Sequence, residues 1–182
     1  MLQEPTPTHQ QESPLGTQLG SQAKLELHHL HSNVLRRTAW LLGALGLIPF
    51  VALTIGYLVM GQDAPGWLLK ALLLYAVCII SFLGGIHWGI ALVFQDLPVV
   101  YVVASLVWSV LPALFAWPLV LLPITQGLLW GAMGLLVILT VDLRLNKHYP
   151  VPGWFASLRT ILTAVASLSL FVAWIWLEQA ST

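Results

Sequence analysis

Apolar runs of about 20 residues, nearly free of charge, recur along this chain, and no other feature constrains its fold as strongly. A helix rises about 1.5 Å per residue, so each run is long enough to cross a hydrocarbon core about 30 Å thick. In lipid, every backbone N–H and C=O has to find its partner inside the protein, and a helix does this within one segment. Five runs stand out, at residues 40–60, 67–94, 99–120, 127–141 and 154–177. The expected fold is all-α: a polytopic membrane protein with five transmembrane helices in one domain, residues 34–178. Composition agrees. The chain is 58% hydrophobic and 8% charged, whereas soluble domains carry about 25% charged residues. A soluble fold with this balance would lack polar surface, so the lipid bilayer is the first expected partner. The net charge of zero supplies no field to attract nucleic acid.

Residues 1–33 are polar, rich in glutamine, and punctuated by Pro5, Pro7, Pro14, Gly16 and Gly20. That composition predicts a disordered polar tail. His28, His29 and His31 cluster near its end, with His28 and His31 one helical turn apart. No cysteine or acidic ligand set accompanies them, so a solvated cluster rather than a metal site is expected. The first run begins near Trp40, too far from Met1 for an ordinary secretory signal. Glu4, Glu12 and Glu26 argue against a mitochondrial transit peptide, which is poor in acids. The expected location is a bacterial plasma membrane, with the mitochondrial inner membrane as the alternative. Cys78, the one cysteine, lies within an apolar run and cannot form an internal disulfide.

Five spans put the two termini on opposite sides. Lys24, Arg36, Arg37, Arg144, Lys147 and Arg159 fall on one side and Lys70 on the other. The positive-inside bias then predicts a cytoplasmic N-terminus and an outside C-terminus. Trp40 and Trp154 fall at the inner boundary, and Trp67, Trp117, Trp130, Trp174 and Trp176 near the outer one, as an aromatic belt requires. Trp88 and Trp108 are the exceptions, and both are expected in the interior. Pro49 and Pro112 lie inside spans and free the carbonyls of Leu45 and Trp108. Gly127, Gly131 and Gly134 predict close packing of the fourth span.

The densest constellation is Ser81-Phe82-Leu83-Gly84-Gly85-Ile86-His87-Trp88-Gly89. Ser81, Gly85 and Gly89 recur every four residues and form a small-residue stripe that invites another backbone. His87 points about 160° away from Gly85, with Gly84 and Trp88 between them. Trp108 and Ser109 lie at the same depth in the third span. The expected core of packing or function is therefore His87, Trp88, Gly84, Gly85, Gly89, Trp108, Ser109 and Pro112. Neutral His87 is expected to donate to the freed Trp108 carbonyl or to Ser109, satisfying two buried polar groups. A proton or ligand site at His87 is the functional reading, since ionisable residues in a membrane interior are often functional. No second ionisable group is evident in the interior, so a relay lacks its partner. One histidine at depth also leaves a b-type haem short of an axial ligand. Ser109 lacks the glycines of a nucleophile elbow. No cofactor, metal or catalytic residue is expected. A second polar pair, Asp142 at the end of span four and Arg159 a turn and a half into span five, is expected to form an ion pair near the inner boundary. The alternative is that Arg159 snorkels alone to the headgroups.

Leu45-Gly46-Leu47-Ile48-Pro49-Phe50, the Ser81–Gly89 block, Trp108-Ser109-Val110-Leu111-Pro112-Ala113 and Leu158-Arg159-Thr160 together resemble the transmembrane protein 69-like family, also described as domain of unknown function 3429. The resemblance covers about residues 36–177 and is most specific around His87. It implies a multi-span membrane protein and no particular reaction. From the residues, the expected role is a non-enzymatic membrane partner or assembly factor, associating with another membrane protein or with itself. The alternative is a small transporter or channel component in which His87 lines a polar site. A lipid-modifying enzyme would need a metal or an acid/base pair, and Asp142 alone is thin support for one.

Overall fold

The computed structural model describes the backbone of residues 14–93, 98–145, 147, 149 and 151–181. Five helices carry the chain: α1 Pro14–Met60, α2 Trp67–Val93, α3 Val99–Ala116, α4 Ile124–Leu145 and α5 Gly153–Ser181. Short 3₁₀ turns, Gly61–Asp63 and Trp117–Leu121, follow α1 and α3. Among the described residues, five segments are long and apolar enough to cross a membrane: Leu30–Met60, Trp67–Val93, Val99–Leu121, Ile124–Leu145 and Gly153–Ala180. The protein is all-helical and multi-pass.

Two compact units divide the chain, residues 1–40 and 41–182. In the first, the backbone is helical from Pro14, where composition leads one to expect an unstructured tail through residue 33. Alanine, leucine, lysine and glutamate in Ala23-Lys24-Leu25-Glu26-Leu27 are good helix formers, and they outweigh the flanking glycines. The side chains of His28 and His29 lie outside the described residues, and so does the expected cluster.

The second unit is built from two hairpins, α2 packed along α3 and α4 packed along α5, joined where α2 also meets α4. Its interior holds Phe50, Leu72, Ala76, Ile80, Leu128, Ala132, Leu135, Leu170 and Ala173. Lipid tails are as apolar as leucine, so helices here gain from close contact and hydrogen bonding rather than from escape from water. Small residues supply that contact. A Cβ at Gly84 would collide with the Ser109 carbonyl oxygen, so α2 and α3 touch backbone to backbone there. Gly127 takes the Leu73 side chain and Gly134 the Phe115 ring. The α1 residues of this unit add polar ties. Tyr75 Oη donates to the Gly46 carbonyl at 2.8 Å, beside the one Pro49 frees. Thr54 Oγ1 donates to the Ser169 carbonyl at 3.3 Å.

The fourth span differs from expectation. Sequence ends it at residue 141, before the first charge, yet α4 continues to Leu145 with Asp142 buried in it. The helix runs on because Asp142 meets its donors inside the protein.

Candidate functional site

On α2, Ile80, Leu83, Gly84, His87 and Ala91 are buried and recur at helical spacing. His87 thus shares a face with Gly84, where α3 comes closest. On α4, Gly131, Leu135, Ile138 and Asp142 form one buried face, and on α5 Arg159, Thr163, Ala166 and Leu170 do the same. These faces converge on Asp142. Asp142, His87 and Arg159 are 3%, 2% and 5% exposed, respectively.

Asp142 Oδ1 lies 2.7 Å from His87 Nε2 and 3.3 Å from Trp108 Nε1. Arg159 Nη2 donates to Oδ2. A carboxylate held by a guanidinium is ionised and accepts only. His87 must therefore carry its proton on Nε2 and donate. All four helices of the two hairpins contribute one side chain to this centre: α2 His87, α3 Trp108, α4 Asp142 and α5 Arg159. The acid and the guanidinium cancel, so the centre is neutral when the imidazole is neutral. Unpaired, each ion would be costly at this depth. His87 Nδ1 is the exception to the closed pattern, buried and without a hydrogen-bond partner among the described residues.

Tyr149, in the α4–α5 connection, is buried and turns back onto α3. Its hydroxyl donates to the Tyr101 carbonyl at 3.0 Å, so the proton between it and Ser105 comes from Ser105 Oγ. Ser105 lies one turn before Trp108. A groove of about 300 Å³ runs between α3 and α4, lined by Trp108, Pro112, Phe115, Met133 and Val137 among others. The Trp108 ring faces that groove while its N–H reaches Asp142.

Several expectations are corrected here. His87 does not bond Trp108 or Ser109 through a backbone or hydroxyl group; its partner is Asp142 on another hairpin. Ser109 Oγ donates to the Leu106 carbonyl at 2.6 Å and is not joined to an imidazole. Trp88 is 51% exposed and not interior, since an indole can lie against lipid at little cost. Gly85 and Gly89 are open, with nothing within 4 Å of an added Cβ. The close approach belongs to Gly84 and Pro112 instead. The interior does hold further ionisable groups beside His87. One signal in the sequence pointed to Asp142: the run 127–141 is too short for a core that takes about 20 residues, so the helix had to include the next turn. Among the described residues, no three His, Cys, Asp or Glu side chains gather as a metal site.

Comparison with known proteins adds to this geometry. The family described as "Protein of unknown function (DUF3429)" matches residues 35–175, a range that includes every member of the Asp142 centre. The chain is 40% identical over 136 residues to Transmembrane protein 69 of Xenopus tropicalis, covering 74% of this chain and 52% of that protein. It is 33% identical over 129 residues to Transmembrane protein 69 of Mus musculus, covering 70% of this chain and 51% of that protein. The chain thus spans about half the length of the curated relatives it matches. No solved structure matches it.

Proposed function

The chain belongs to the DUF3429 family, and from that premise we propose that it is a non-enzymatic membrane partner or assembly factor, docking through the outer face of α2. The observation that carries this reading is the open stripe of Gly85 and Gly89 beside exposed Phe82 and Trp88. A glycine in a helix interior is about 1 kcal/mol worse than alanine. At Gly84 close packing offsets that cost. At Gly85 and Gly89 nothing among the described residues does, and a second helix backbone would. The polar centre fits the same role, since Asp142 has both oxygens engaged and acts as a clasp between hairpins. The proposed setting is a bacterial plasma membrane or a mitochondrial inner membrane, with the basic, N-terminal side facing the cytoplasm or matrix.

A photo-crosslinking residue at Phe82, in native membranes, tests the docking face. The expected result is one discrete adduct, with another membrane protein or a second copy, suppressed by Gly85→Leu in a chain that still folds. A second reading, a small transporter component, is favoured by the unpartnered Nδ1 of buried His87. Absence of a protein adduct from Phe82, together with proton flux in proteoliposomes that His87→Ala abolishes, would establish that second reading and overturn the first.

A further inference from the structure

Away from the Asp142 centre, about 25 Å along α2 at its helical rise, the 41–182 unit holds a pocket of about 510 Å³. Leu69, Ile124, Trp176 and Leu177 give it apolar walls, and Lys70 and Tyr57 supply its polar groups. We propose that this pocket binds the phosphate of an anionic amphiphile, held by the Tyr57 hydroxyl and the Lys70 ammonium.

Tyr57 is only 7% exposed and lines the pocket, and among the described residues no side chain or carbonyl takes its hydroxyl. A phenol hydroxyl in such a wall is free to donate to a ligand. Lys70 forms no ion pair among the described residues. It stands in the first turn of α2, where the positive end of the helix dipole repels a cation unless an anion sits between or beside them. Asp63 and Glu178 are close in sequence, but neither lines the pocket. Phenol, ammonium and helix start all offer protons or positive charge, and no carboxylate lines the pocket. The matching ligand is an acceptor-rich anion, and phosphate is the one a membrane supplies in bulk. The apolar walls below suit an acyl chain, which makes a phospholipid headgroup the favoured source over free phosphate.

The test is native mass spectrometry of the full chain in detergent, offered phosphatidylglycerol or phosphatidylcholine, with Tyr57→Phe and Lys70→Gln beside the parent. Phosphatidylglycerol should be retained preferentially. Each variant should lower its occupancy by about tenfold, the effect of losing one charge-assisted hydrogen bond, with helix content unchanged by circular dichroism. Displacement of the lipid by excess inorganic phosphate would support the anion site with the free ion as its occupant. Resistance to displacement would support it with the lipid. Equal retention of the two lipids, or unchanged occupancy in both variants, would overturn the proposal.

Discussion

Removing the Asp142 carboxylate is the most informative perturbation of this bundle. Asp142→Leu leaves Arg159 charged and unpaired and takes the acceptor from His87 Nε2 and Trp108 Nε1. Breaking a buried ion pair from one side costs about 3–5 kcal/mol, because the remaining charge stays desolvated. Arg159→Leu should cost a similar amount, since Asp142 keeps two neutral donors but no countercharge. The double variant Asp142→Leu with Arg159→Leu removes both ions. What remains are the orphaned imidazole and indole N–H groups, each worth about 1–3 kcal/mol. Adding His87→Leu should recover the imidazole's share and leave only the indole N–H without its acceptor. The signature is non-additivity: the double variant is more stable than either single one, opposite to what independent sites give. The assay is unfolding in mixed micelles of sodium dodecyl sulfate, followed by far-ultraviolet circular dichroism, as a full cycle of variants. Single variants that each cost under about 1 kcal/mol, the level of an exposed pair, would refute the clasp. So would costs that simply add.

The α2–α3 contact gives a second prediction. Gly84→Ala drives a Cβ into the Ser109 carbonyl oxygen, and backbone cannot yield as a side chain does; thermal stability in detergent should fall by the equivalent of about 1–3 kcal/mol. Gly85→Ala meets nothing within 4 Å and should leave the melting temperature unchanged or raise it, by up to about 1 kcal/mol of helix propensity. For orientation, single cysteines at Ser21 and Ser181 in a Cys78→Ala background should label from opposite faces of sealed vesicles. Labelling of both from one face would mean an even number of crossings.

The five helices were legible because lipid leaves the backbone so few choices, and the starts of α2 and α3 at Trp67 and Val99 match the polar breaks before them. The contact between Asp142 and Arg159 was within reach as well. They sit on consecutive helices with a short connection, so proximity follows from chain order. The bond from His87 to Asp142 was not legible. It joins α2 to α4, which are not neighbours in sequence, and no periodicity within one helix says which non-consecutive helix it will face. The face of His87 was readable, but the occupant of that face was not. Trp88 shows a related limit: its depth suggests an interior position, yet a helix at any depth still presents one side to lipid. Tyr149 gave no local sign of folding back on α3, since its partners are a carbonyl and a serine more than forty residues earlier.

Chain order also bears on how the polar clasp comes together during synthesis. His87 leaves the ribosome 55 residues ahead of the carboxylate it will hold. The carboxylate itself is followed after only 17 residues by its guanidinium. The last two helices can therefore enter together as a hairpin whose charges already cancel, and the earlier hairpin is recruited to an acceptor that has been neutralised beforehand. A nascent chain halted between those two residues would present the insertion machinery with a bare anion and only an imidazole and an indole to meet it.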